Sequence, residues 1–164
     1  MNEAWVVNAS PVILFARIAR LDLLERLAPR IIVPRAVFEE VRAGEGKDPT
    51  AATALAWAAD RSVPDATVPV GVEHWDLGSG ESQVIAQGLA GSRWVVLDDL
   101  AARRCAVSHG LAVIGSLGVV LRSKQRGLLD EAEPWVTKLI DAGMFMDGRL
   151  LELALESVGE RHRT

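Results

Sequence analysis

Short apolar runs rich in β-branched residues recur along the chain, each followed by a segment whose apolar residues fall at helical spacing. Trp5-Val6-Val7-Asn8, Ile31-Ile32-Val33, Val95-Val96-Leu97 and Leu111-Ala112-Val113-Ile114 read as buried strands. Consecutive strands separated by helices can pair only through crossovers, which makes them parallel, and a parallel sheet needs helices on both faces. The pattern therefore predicts an α/β protein, a three-layer α/β/α sandwich around a mostly parallel sheet of four to five strands. A length of 164 residues suits a single domain over 1–164, long enough to bury a core without staples.

Composition narrows the function classes. The chain carries 18 basic against 22 acidic residues, a formal net charge of -4, which argues against a non-specific nucleic-acid binder held by bulk charge. The basic residues are nearly all Arg, with Lys only at 47, 124 and 138. Arg presents a planar fork suited to phosphate, so a local phosphate-binding rim is compatible with an acidic total. Cys105 stands alone, which excludes an internal disulfide or a cysteine-based zinc site and fits a reducing, cytoplasmic setting. The start Met1-Asn2-Glu3-Ala4-Trp5 lacks the features of a signal peptide, and no apolar run approaches the roughly 20 residues of a membrane span.

Along the chain, Ser10-Pro11 reads as a helix start with Ser10 as N-cap, and Pro34 as the start of a helix whose stripe is Val37, Phe38 and Val41, bordered by Glu40. Residues 43–49 read as a loop, and Thr50 to Ala59 as a peripheral Ala-rich helix. Ala66 to Val70 reads as a weak strand, which Pro69 demotes to an edge or an irregular extension. Gly78-x-Gly80 enters a helix at Gln83 with Glu81 near its first turn. It either cradles phosphate through free N–H groups or simply complements the helix dipole. Ser116 is expected to cap the next helix, Asp130 with Glu133 to open another, and Asp147 to open the last.

Asn8 and the Asp98-Asp99 pair fall at the carboxyl ends of separate strands, where open α/β sheets bind ligands, and Glu40 and Glu81 lie at neighbouring helix positions. At Asp98-Asp99 two readings stand together: a helix cap, or an acidic ligand. A set of Asp, Glu and Asn oxygens without His or Cys favours Mg²⁺ or Mn²⁺ over zinc. Such ions support hydrolysis of phosphodiesters.

The runs Val6 to Ile13 and Val33 to Val41, Gly78-x-Gly80-Glu81, Leu97-Asp98-Asp99 with Ala102-Arg103, and Val113 to Gly118, in that order, resemble the PIN-domain family. The likeness is closest to its prokaryotic branch of predicted nucleic-acid-binding proteins. The resemblance implies a Mg²⁺- or Mn²⁺-dependent ribonuclease, often the toxin of a toxin-antitoxin pair and often a homodimer. It implies Asn8, Glu40, Glu81 and Asp98 or Asp99 as catalytic and metal-binding residues. It places the family's hydroxyl at Ser116, and Ser10 joins it as a candidate for positioning phosphate or water. Asn8 departs from the family's usual Asp and removes a charge. A PIN-like module that binds RNA or a protein without cutting is therefore the alternative. A phosphoacceptor domain, which needs a Lys near the last strand, is disfavoured because Lys124 lies well inside a helix.

Overall fold

The structure is a computed structural model that describes residues 4–91 and 93–162. Its strands are β1 (Ala4–Val7), β2 (Arg30–Pro34), β3 (Ser62–Val63), β4 (Trp94–Val96) and β5 (Ala112–Ile114). The helices are α1 (Ala9–Arg17), α2 (Asp22–Leu27), α3 (Arg35–Ala43), α4 (Ala51–Ala59), α5 (Val70–Glu73), α6 (Ser79–Gly91), α7 (Leu100–Ser108), α8 (Ser116–Gln125), α9 (Glu133–Asp141) and α10 (Gly148–Glu156). All strand pairs are parallel, in the order β3-β2-β1-β4-β5. The expected α/β fold with a parallel sheet is present, and the sheet has five strands.

This order decides where a ligand can sit. The chain steps outward from β1 to β2 to β3, then returns past β1 to add β4 and β5 on the other side. Right-handed crossovers that reverse direction leave a crevice between β1 and β4, at their carboxyl ends. The register Val7 opposite Val96 brings Asn8 and Asp98 to that crevice, and the Asn8 N–H donates to the Val96 carbonyl at 3.1 Å. All four residues of β1 are buried although their side chains alternate between the two faces, so both faces are covered. Trp5 and Trp94 stack across the β1–β4 pair, with ring centroids 5.6 Å apart.

Several helix starts and one strand differ from the sequence reading. α1 begins two residues earlier than expected, with Asn8 at the N-cap position and Ser10 inside the first turn. Pro34 both closes β2 and is the N-cap of α3, one residue before the first helical position, and Gly115, not Ser116, precedes α8. In both α1 and α8 the serine hydroxyl is drawn to a carboxylate from β4's end instead of to its own helix.

The edge strand forms at Ser62–Val63, and of the two readings for 66–70 residues 66–69 follow the irregular extension. Pro64 and Pro69 cannot donate to a ladder, and Ala66 finds its partners in the Gln83 side chain, which accepts from its N–H at 2.8 Å and donates to its carbonyl at 2.7 Å. At α9, Asp130 does not cap. The Glu160 carboxylate, far along the chain, accepts the N–H groups of Ala132 and Glu133 at 2.8 and 2.9 Å and pairs with Lys124. Asp147 caps α10 as expected.

Candidate active site

The adjacent carboxylates after β4 have different environments. Asp98 is partly buried and gathers donors from two other elements. The Ser116 N–H reaches its Oδ1 at 2.7 Å, while the hydroxyls of Ser116 and Ser10 reach its Oδ2 at 2.7 and 3.2 Å. It thereby ties the end of β4 to the starts of α1 and α8. Asp99 turns outward, and its Oδ2 accepts the Ala102 N–H at 2.9 Å as the N-cap of α7. The helix-cap reading thus describes Asp99, while Asp98 is the carboxylate facing the crevice.

Asn8 is buried at 4% exposure, and its Oδ1 is without a hydrogen-bond partner. A buried amide oxygen left without a donor carries a penalty of about 1–3 kcal/mol. It sits at the end of β1, beside the strand that delivers Asp98.

The second acidic group lies on the helices. Glu40, on α3, and Glu81, in the first turn of α6, are close enough to repel. Glu40's carboxyl is held above its ordinary value of 4.5 first by partial desolvation and then by the Glu81 charge, against the pull of the Gly80 N–H. That N–H donates to Glu40 Oε1 at 3.1 Å, so a free donor at the start of α6 is taken by a carboxylate of the protein itself. The Gly78-x-Gly80 turn is explained by this approach: a Cβ on Gly80 would fall 2.3 Å from Glu40 Oε1, and one on Gly78 would fall 2.6 Å from Glu81 Oε2.

Arg103, to which the sequence reading gave no role of its own, belongs to the surroundings of Asp98. Its Nη1 donates to the Leu97 carbonyl at 2.9 Å, fixing the turn just before Asp98. A side chain at Gly115 would strike that guanidinium, since its Cβ would stand 2.6 Å from Arg103 Nη1 and 3.2 Å from Asp98 Oδ1. The signal was an Arg one turn into the helix that follows the acids, legible only once the helix start is known.

The structure thus brings Glu40 to Glu81, and Asp98 to Ser10 and Ser116 beside Asn8. Among the described residues no three His, Cys, Asp or Glu side chains are gathered into one metal-holding group.

A family model described as DUF3368, a PIN domain, matches residues 4–160. The chain belongs to the PIN-domain family. No curated protein matches it. Among solved structures, PAE2754 from Pyrobaculum aerophilum is similar at 14% identity and a TM-score of 0.54, over 74% of this chain and 90% of that one, which shows a shared fold. VapBC2 from Rickettsia felis, bound to a DNA fragment from its promoter, has 12% identity and a TM-score of 0.48 over 68% of this chain and 98% of that one. VapBC-1 from nontypeable Haemophilus influenzae has 9% identity and a TM-score of 0.48 over 69% and 98%. No helix of the described residues of this PIN domain is long and apolar enough to cross a membrane.

The residues present fit a hard divalent cation. The Asn8 Oδ1 has no donor, Glu40 and Glu81 repel one another, and Asn8, Glu40, Glu81 and Asp98 carry side-chain oxygens, the donor type that such ions take.

Proposed function

We propose that this PIN domain is a ribonuclease that hydrolyses RNA phosphodiester bonds with the help of Mg²⁺ or Mn²⁺. The observation that carries the reading is the orphaned Asn8 Oδ1, buried at the β1–β4 switch point next to a carboxylate already fixed by other donors.

In this reading Asp98 and the Asn8 carbonyl hold the ion from the sheet side, and Glu40 and Glu81 complete its oxygen shell from the helix side. The bound ion supplies positive charge for the developing charge of the phosphate and makes a water more acidic. The chain's own residues do the rest. Ser116 and Ser10 hold Asp98 with both oxygens bonded, so its carboxylate is oriented before any ligand arrives. Arg103 holds the turn that carries it. Glu40 holds its proton more tightly than an ordinary carboxyl, through partial desolvation and the neighbouring Glu81 charge, so an ion bound there would displace that proton. Asp99 serves the helix, and its removal should leave cleavage intact.

We extend the reading to a toxin whose antitoxin partner lays a basic side chain on the acidic crevice, and to a homodimer. Copurification of a short second chain is the observation that tests the first, and sedimentation the second.

A different reading is favoured by one residue. Asn8 supplies one charge fewer than Asp would, which weakens ion binding and suits a module that holds RNA or a protein without cutting it. Incubation of the purified protein with single-stranded and structured RNA plus Mn²⁺ separates the two. A nuclease cleaves, loses cleavage in Asp98→Asn and keeps it in Asp99→Asn. Equal behaviour of wild type and Asp98→Asn contradicts it.

A further inference from the structure

A cavity of about 250 Å³ opens between α1, α3 and α4, and Glu40 forms part of its wall. Glu40 therefore belongs both to this cavity and to the acidic group, so whatever fills the cavity lies next to the candidate site of cleavage. Its floor is apolar, built by Ile13 from α1, Val41 from α3, and Ala51 and Ala54 from α4. The small side chains of α4 make the space: alanines at the inward positions leave room that larger residues would fill.

The rim is polar and partly fixed. Arg17 Nε donates to Asp48 at 3.2 Å and its Nη1 to the Ala142 carbonyl at 2.8 Å, which locks the guanidinium while leaving the side chain 40% exposed. Asp48 offsets that charge. Lys47 also lines the cavity, is exposed, and has no ion pair among the described residues, so its ammonium is left to face a ligand at this rim.

Drug-sized ligands need roughly 300–1,000 Å³, so this space suits something smaller. An apolar slot beside a locked guanidinium plane matches a nucleobase, since bases stack on Arg planes, and a free ammonium at the rim matches the phosphate attached to it. A double helix keeps its bases stacked inside and cannot offer one.

We propose that the α1–α3–α4 cavity is a nucleotide subsite that takes one unpaired base of single-stranded RNA, with its phosphate on Lys47, next to the bond presented to the acidic group. This rests on the ribonuclease reading for its meaning, but it makes a binding claim that is measured without cleavage. A subsite of this kind also sets where the strand is cut: the scissile phosphate is the neighbour of the captured base.

The test is fluorescence anisotropy with short labelled oligouridine and oligoadenine strands and a labelled RNA duplex, all in EDTA. The proteins are wild type, Ala51→Phe, which fills the slot from its edge, and Lys47→Ala, which removes only an exposed charge. Folding of each is checked by thermal melting. Ala51→Phe should weaken binding of at least one of the single strands about tenfold, as loss of one stacked base does. Lys47→Ala should lower the salt dependence by about 0.7 in the log-log slope. Duplex binding should be weaker and unmoved by either change. Single-strand binding equal to wild type in both variants overturns the subsite, as does an equal loss for strand and duplex. If Ala51→Phe does not fold, the Lys47→Ala slope decides. A protein that binds this way but never cleaves with Mn²⁺ retains the subsite and loses the nuclease reading. One that cleaves while both variants bind like wild type does the reverse.

Discussion

The two acidic groups are built on opposite principles. Asp98, at the end of β4, has its carboxylate bonded by the Ser116 N–H and by two serine hydroxyls, and so is satisfied by the protein itself. Glu40 and Glu81, on α3 and α6, face one another with like charge, and only the Gly80 N–H relieves Glu40. The first group is preorganised and stable as it stands; the second is held together by the fold against its own electrostatics. A cation would meet an already oriented carboxylate beside the orphaned Asn8 Oδ1 in the first and would relieve the repulsion in the second. In the proposed reading, orientation is supplied by one part of the fold and unmet charge by another.

The largest expected effect comes from breaking the satisfied group. Asp98→Ala leaves the Ser116 N–H and hydroxyl, both buried, without an acceptor, and should destabilise the protein by about 1–3 kcal/mol in chemical denaturation. Asp98→Asn keeps the shape and should reduce RNA cleavage at least about a hundredfold. If neither stability nor cleavage moves, Asp98 is not the anchor described here.

Restoring charge beside it comes next. Asn8→Asp should tighten Mn²⁺ binding about tenfold by calorimetry, since it adds a carboxylate where a bare amide oxygen now sits. The same change should lower the melting temperature without metal, because the new charge is buried. Asp99→Ala should cost about 1 kcal/mol through loss of the α7 cap, with Mn²⁺ affinity unchanged. An affinity loss there would move the ligand role to Asp99.

The smallest effect probes the repelling pair. Glu40→Gln should raise the metal-free melting temperature at neutral pH by about 1–3 °C while weakening Mn²⁺ binding. Its pH signature has a definite sign. Glu40 binds its proton more tightly folded than unfolded, so its contribution to stability improves as pH falls through the raised value toward the ordinary 4.5 and is constant below that. Mn²⁺ affinity should fall over the same window, and Glu40→Gln should remove Glu40's part of both trends.

The parallel α/β plan was legible because periodicity repeats many times, and α7 was placed from Leu100 to Ser108 with both ends as observed. What was not legible were choices made by distant partners. Nothing local distinguishes Asp98 from Asp99; the distinction comes from Ser10 and Ser116, which approach one and not the other. The same serines read locally as helix caps, and lose that role because a carboxylate from another strand competes for them. Glu160 displaces Asp130 as the donor-satisfying group at α9 for a like reason: 28 residues of separation from Ala132 hide a contact that a short motif cannot encode. Glu40 and Glu81 were placed near each other by helix position, but their mutual repulsion appears only with the helices packed, and until then the glycines that permit it leave the phosphate-cradle and helix-dipole readings both open.

The decisive property of the site is whether these groups share a cation. Calorimetric titration of Mn²⁺ into wild type, Asp98→Asn, Glu40→Gln and Asp99→Ala, at constant pH near neutrality, tests that most directly. Saturable binding by wild type, lost or sharply weakened in Asp98→Asn and in Glu40→Gln and kept in Asp99→Ala, is the predicted result. No binding by wild type, or equal binding by all four proteins, would contradict it.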